Sequence, residues 1–193
     1  EVTAIDSSDF MINRCRQNAA EIPHITCIKQ DFLTMEFKEE FDAVISWNHS
    51  IGYTTREDDE KAIRRMYEAL VPGGRVLLDL HNLAAYLKYF IGRHWEERET
   101  AFALRDAEFD HADQKFICRN IIAPKNGGKI RERVLTTLEY EPEEIKNVLE
   151  SAGFDKISFY GDACTSENGM MFSEEGYSEE SVAMIVTGIK GKV

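Results

Sequence analysis

Short apolar runs alternate with amphipathic segments along the first 80 residues, an order typical of α/β proteins. Residues 1–6, 25–30, 41–47 and 75–80 predict strands. Helices are predicted at about residues 8–20, capped by Ser7 or Ser8, and at about residues 57–70. The strand at 41–47 is apolar on both faces in its middle, as expected for a central strand covered by helices. The pattern therefore predicts an α/β fold with a Rossmann-like, mostly parallel sheet.

Residues 86–140 have a different pattern, in which apolar and polar positions alternate as in half-solvated antiparallel strands. Strands are predicted at 100–109, 116–123 and 129–138, with hairpin turns at 110–113 and 125–128. We interpret this region as a small inserted antiparallel β-layer, a subdomain over one edge of the sheet.

The chain then returns to the first pattern. A helix at 142–152 and an antiparallel terminal strand pair, 156–160 with 181–189, are predicted to complete one domain over residues 1–193. A tight turn is predicted at 71–74, and residues 174–180 are predicted to be a solvated loop.

Composition narrows the possible partners. The net charge of −12 argues against a nucleic-acid partner, because phosphate backbones favour basic surfaces. No apolar run approaches the roughly 20 residues needed to span a bilayer, so no membrane partner is expected. The four cysteines are widely spaced, which predicts reduced thiols in a cytoplasmic protein and no metal site.

Candidate binding residues stand where successive predicted strands end. Asp6 ends the first strand, where a carboxylate can accept hydrogen bonds from the hydroxyls of a ribose. Asp31 ends the second strand, and Ser46 and Trp47 end the third. In an open parallel sheet these ends share one edge, which is where ligands bind. Nucleotide-binding α/β domains normally place a strand and a glycine-rich loop before such an acid. We therefore expect that this sequence starts after the first βα unit of such a domain.

Several segments resemble the class I S-adenosylmethionine-dependent methyltransferases, above all those that act on small molecules. The matching pieces are IDSSDFMI (5–12), QDF (30–32), FDAVIS (41–46), ALVPGGRVLL (69–78) and SAGF (151–154). The resemblance implies S-adenosylmethionine as cofactor. The family's first strand would lie between the strand ending at Asp6 and the strand ending at Ser46, so its absence predicts a gap in the sheet.

The resemblance also implies residue roles. Asp6, with Ser7 beside it, would hold the ribose hydroxyls, and Asp31 would accept from the adenine amino group. The other cofactor-binding residues implied are Met11 or Ile12 and Phe32 at the adenine, and Ser46 and Trp47 at the methionine portion.

Methyl transfer from a sulfonium depends mainly on alignment and desolvation, and a base is needed only when the acceptor is protonated. His49 and His81 follow strands at the reactive edge and are the candidate bases. Tyr53 and Tyr86 are candidates to shape the acceptor pocket, and Trp95 to cover it.

The predicted function is methyl transfer to the nitrogen, oxygen or carbon of a small-molecule substrate, by a possible homodimer. Two alternatives stay open: a nicotinamide-dependent oxidoreductase, which also uses an acid after its second strand, and a non-catalytic methyltransferase-like binding module.

Overall fold

A computed structural model describes residues 1–161, 163–166, 169–172 and 176–192. The elements in this part of the chain are, in order, β1 (Val2–Asp6), α1 (Asp9–Asn18), β2 (Ile25–Lys29), β3 (Phe41–Ser46), α2 (Arg56–Ala69), β4 (Leu70–His81), α3 (Leu83–Lys88), β5 (Arg93–Glu97), β6 (Ala101–Asp110), β7 (Lys115–Pro124), β8 (Arg131–Leu138), α4 (Pro142–Ala152), β9 (Phe154–Tyr160), β10 (Ala163–Ser166), β11 (Gly169–Phe172) and β12 (Ala183–Lys190).

The helix ends follow from local sequence. Ser8 caps α1, as predicted, by accepting a hydrogen bond from the Met11 amide at 3.4 Å. Thr55 caps α2 in the same way. Helix α4 begins at a capping box with Pro142 in its first turn and ends at Gly153, whose φ of 105° favours glycine.

The strands form separate sheets, which corrects the expectation of one mostly parallel sheet. Strands β1 and β2 form a two-stranded parallel sheet, and the main sheet has the order β3-β4-β12-β9. Only β3 and β4 are parallel in the main sheet, while β12 pairs antiparallel with both β4 and β9. No ladder joins β1 to β3 within the residues described, so the predicted gap lies between them. The antiparallel terminal pair is confirmed.

The core lies where α2 and α4 cover the main sheet. Ile63 of α2 and Leu149 of α4 are fully buried, together with Met184 of β12. Apolar residues of the β1–β2 unit reach this core only partly buried, among them Ile5, Phe32 and Leu33. The predicted turn at 71–74 is an irregularity within β4, because the partners of Phe41 and Ala43 in that strand are Leu70 and Arg75.

The predicted β-layer is a four-stranded antiparallel sheet of order β5-β6-β7-β8. Its register places Trp95 opposite Leu104, and the Trp95 ring contacts Phe102 with 65% of the residue exposed. Because neighbouring strand positions point to opposite faces, Trp95 lies on the face away from Arg105 and α3. The expectation that Trp95 covers the acceptor pocket stays a prediction. The boundary of a subdomain at 86–140 stays a prediction.

Two cysteines depart from the predicted reduced state. Cys15 of α1 and Cys27 of β2 form a disulfide, which the wide spacing in sequence did not indicate because the connection from α1 to β2 brings them together. Cys118 is free. Part of the loop predicted at 174–180 lies outside the described residues.

Candidate active site

The turn after β3 has an unusual backbone. Asn48 and His49 are consecutive non-glycine residues in the left-handed region, with φ of 60° and 53°. The Asn48 amide donates to Asp79 Oδ2 at 2.9 Å, and Asp79 is 6% exposed on the adjacent strand β4. Asp79 is therefore occupied in holding the turn that presents His49.

A second buried acid holds the far end of this turn. The Gly52 amide donates to Asp59 Oδ1 at 3.1 Å, and the Leu138 amide donates to the Gly52 carbonyl at 2.7 Å. Tyr140 donates its hydroxyl to Asp59 Oδ2 at 2.7 Å. Burial raises the pKa of Asp59, and burial together with the Asp59 charge raises the pKa of Tyr140. The network fixes the turn against α2 and the end of β8.

His81, the last residue of β4, is oriented by a buried carboxylate. Its Nδ1 lies 3.1 Å and 3.2 Å from the two oxygens of Glu139, which is 3% exposed. Thr137 donates its hydroxyl to Glu139 Oε1 at 3.0 Å. Since an ionised carboxylate only accepts, Nδ1 carries the proton and Nε2 is the nitrogen available to take another.

The two predicted bases are brought together. The rings of His49 and His81 stack with centroids 3.7 Å apart. The pKa of His49 is lowered, chiefly by burial and next by the neighbouring His81. The charges of Asp79 and Glu139 act in the opposite direction but are smaller effects. His49 Nδ1 is buried without a hydrogen-bond partner in the described part of the chain. Both rings line a cavity of about 10 Å³ together with Ile51, Thr137 and Glu139, which is room for no more than one water.

Asp6 and Asp31 lie at the same end of the β1–β2 pair. Asp6 Oδ1 accepts from the Ser8 amide at 2.7 Å, and Asp31 Oδ1 accepts from the Leu33 amide at 2.9 Å. The Gln30 amide donates to the Asp6 carbonyl, so the two strand ends are adjacent.

These acceptors provide a test of whether the residues suit the implied cofactor. A carboxylate offers about four acceptor positions, so each acid keeps the capacity to accept from ribose hydroxyls or an amine. The residues present therefore fit the ribose and adenine of S-adenosylmethionine.

The other predicted cofactor residues are spread around this edge. Met11 is 51% exposed on α1, whereas Ile12 is buried and faces the core. Phe32 packs partly buried against the core, and Ser46 is buried at the end of β3. The remaining positions are Ser7, which is exposed, and Trp47, which is half-buried.

Tyr53 and Tyr86 differ in their surroundings. Tyr53 is 51% exposed and does not line the cavity beside the two histidines. Tyr86 packs against His81 with ring centroids 4.9 Å apart. Asn82 is fully buried and donates to the carbonyls of Ser178 and Ser181, so it holds a loop.

The sequence reading missed Glu139 and Asp59. Asp59 stands among other acids in the predicted helix, and Glu139 follows the predicted strand at 129–138, so neither gives a clear signal for a buried carboxylate. No group of three or more metal-ligating side chains occurs among the residues described. No helix in that part is long and apolar enough to cross a membrane.

Comparison with known proteins finds methyltransferase-related matches over part of the chain. Residues 1–74 match the family model described as "Methyltransferase domain". A segment of 85 residues is 35% identical to the carboxy-S-adenosyl-L-methionine synthase of Pseudomonas savastanoi pv. phaseolicola, covering 40% of this chain. The match spans 34% of that relative, about a third of its length.

Two solved structures share the fold across nearly the whole chain. The methyltransferase CcbJ from Streptomyces caelestis has a TM-score of 0.76 at 18% identity, covering 99% of this chain and 79% of that one. An S-adenosylmethionine-dependent methyltransferase from Clostridium acetobutylicum has a TM-score of 0.75 at 15% identity, covering 98% and 74%. The family model over residues 1–74 and the fold shared with these structures support the resemblance found in the sequence, which is to the class I S-adenosylmethionine-dependent methyltransferases.

Proposed function

We propose that the chain transfers a methyl group from S-adenosylmethionine to a small-molecule acceptor, with His81 as general base. The observation that carries the proposal is the hydrogen bond from His81 Nδ1 to the buried Glu139. It lies at the end of β4, whose parallel partner β3 ends at Ser46. A base oriented by a carboxylate fits a reaction that removes a proton from the attacking atom.

The cofactor would be held by acceptors on the β1–β2 unit. When bound, S-adenosylmethionine supplies an electrophilic methyl group on a sulfonium. Asp6 would bind the ribose hydroxyls, assisted by Ser7, and Asp31 would bind the adenine amine. Met11 and Phe32 would contact the adenine, while Ser46 and Trp47 would border the methionine portion.

The histidine pair would move the proton. His81 Nε2 takes the proton of the acceptor, and Glu139 stabilises the resulting imidazolium because its carboxylate is already in contact with Nδ1. The lowered pKa of His49 keeps the stacked ring neutral near pH 7, which avoids a second positive charge at 3.7 Å. Tyr53 would shape the route of entry of the acceptor.

The likeness to carboxy-S-adenosyl-L-methionine synthases supports an S-adenosyl ligand for this chain. It carries no argument for the reaction, because only about a third of that relative is matched. The structure adds no observation that favours a nicotinamide cofactor.

The test is incubation of the complete gene product with S-adenosylmethionine labelled in the methyl group and pools of small metabolites. We expect a labelled product with at least one pool, and a loss of turnover of about 10²-fold or more in His81→Gln. Absence of labelled product from every pool would favour the non-catalytic binding module.

The cofactor site has its own measurement. Asp6→Asn should weaken binding of S-adenosylhomocysteine in calorimetry by about 1–3 kcal/mol, because charge-assisted hydrogen bonds are lost. Asp9→Asn is the matched control, since Asp9 is an exposed acid three residues away that pairs with Lys29. Equal affinities of the two variants would contradict the role of Asp6.

A further inference from the structure

A second and much larger cavity lies between α3 and the inserted sheet. Its volume is about 510 Å³, within the range of small-molecule sites. Aromatic and apolar side chains form most of its wall, and Arg105 and His94 supply the polar groups. Tyr89 and Ile91 are more than 60% exposed at its rim, so the cavity is open to solvent.

Tyr86 joins this cavity to the candidate base. Its ring lines the cavity and also packs 4.9 Å from the His81 ring, measured between centroids. It also makes an edge contact with Phe116, with ring centroids 4.6 Å apart. Tyr86 is therefore the side chain through which a ligand in the cavity would be in contact with the proposed base.

Arg105 is a cation without a counter-charge in the part of the chain that the structure describes. Its Nη2 donates to the Tyr86 hydroxyl at 2.6 Å and its Nε to Cys118 Sγ at 3.1 Å. Among the described residues no carboxylate forms an ion pair with it, whereas Arg93 and Arg119 of the same sheet pair with Asp106 and Glu132. The half-buried guanidinium keeps three of its five N–H donors free.

The charge of the wall is opposite to that of the whole chain. Although acidic residues outnumber basic ones by 35 to 23 in the chain, no acid of the described part lines this cavity. His94 stands directly opposite Arg105 in the β5–β6 register. The free donors of a planar guanidinium match the two oxygens of a carboxylate, and the aromatic wall matches a flat ring.

We propose that this cavity binds the acceptor, and that the acceptor is a planar ring bearing a carboxylate, which pairs with Arg105 while the ring packs on Tyr86 and Phe90. The inference rests on the proposed function in calling this ligand the acceptor. The pairing itself can be measured without the methyl donor.

The probes are benzoate and benzamide, which have the same shape and differ in charge. Ligand-observed NMR titration of the complete chain should show benzoate binding at least about tenfold more tightly than benzamide. Equal affinities, or no binding of benzoate, would overturn the proposal. This comparison needs no variant, so it does not depend on whether a substitution folds.

The variants then locate the site. Arg105→Gln should reduce benzoate affinity about tenfold, to the level of benzamide. Arg93→Gln is the control because it removes an exposed arginine from the other face of the same sheet, and it should leave affinity within about twofold. An equal loss in both variants would contradict the pairing with Arg105.

The outcome is separable from that of the proposed function. Selective benzoate binding without methyl transfer to any metabolite pool would leave this cavity assigned and remove the proposed activity. Methyl transfer only to uncharged acceptors, with no preference for benzoate, would leave the activity and overturn the acceptor class.

Discussion

At the scale of single residues, buried carboxylates determine the geometry of the site. Asp79, Asp59 and Glu139 are each less than 7% exposed. Asp79 and Asp59 accept from amides of the turn after β3, and Glu139 accepts from His81. Burying a carboxylate is costly unless such partners are present. The three acids therefore position the turn and His81 rather than form a surface charge cluster.

His49 should make stability sensitive to acid. Its pKa is lowered in the folded state from 6.5, chiefly by burial, so the unfolded chain binds the proton first as pH falls. The stabilising contribution is complete above about pH 6.5 and is lost as pH decreases toward the lowered pKa. We expect His49→Asn to lose less stability than the wild type between pH 7 and pH 5 in urea denaturation. Asparagine suits the left-handed φ of this position.

His24→Asn is the matched control for that measurement. His24 also has a positive φ, 75°, but its side chain is exposed. The control should follow the wild-type pH profile, and a flattened profile in both variants would contradict the assignment to His49.

At the scale of elements, the turn after β3 depends on Gly52. Its φ is 101°, and a Cβ at this position would overlap the carbonyl oxygen of Leu138. Gly52→Ala should destabilise the chain by roughly 3 kcal/mol, because backbone strain and a steric clash add.

Gly127 separates the cost of backbone strain from the cost of the steric clash. Its φ is 75°, but nothing lies within 4 Å of a Cβ there, so Gly127→Ala should cost only about 1 kcal/mol. Thermal or urea unfolding of both variants measures the difference. Equal destabilisation would show that the Leu138 contact does not constrain the turn.

The sequence predicts the helices and strands whose apolar residues recur with a clear period, and it misses those that lack one. Helix α3 has six residues and no side-chain cap, and all five residues of β5 are exposed, so neither gives a pattern to recognise. Asp6 and Asp31 could be placed because strand ends in a parallel pair share an edge. Glu139 could not, because its contact with His81 joins residues 58 apart and depends on how β8 meets β4.

At the scale of the whole molecule, two parts of the chain differ in the contacts that stabilise them. The unit β1–α1–β2 is linked internally by one parallel ladder and by the Cys15–Cys27 disulfide. It meets the rest through partly buried apolar residues, such as Ile5 and Leu33. The main sheet instead has β12 paired on both sides, with Met184 and Val186 fully buried.

Amide hydrogen exchange of the 193-residue chain should therefore differ between the β1–α1–β2 unit and the main sheet. A two-stranded sheet is marginal by itself, so amides of β1 and β2 should exchange faster than those of β12. Because the proposed cofactor contacts Asp6 and Asp31 in the first unit, S-adenosylhomocysteine should slow exchange in β1 and β2 by mass action. Strand β7, in the inserted sheet, is the internal control and should not respond. Equal protection of β1 and β12 without ligand would mean that apolar contacts alone fix the first unit to the core as firmly as a ladder would.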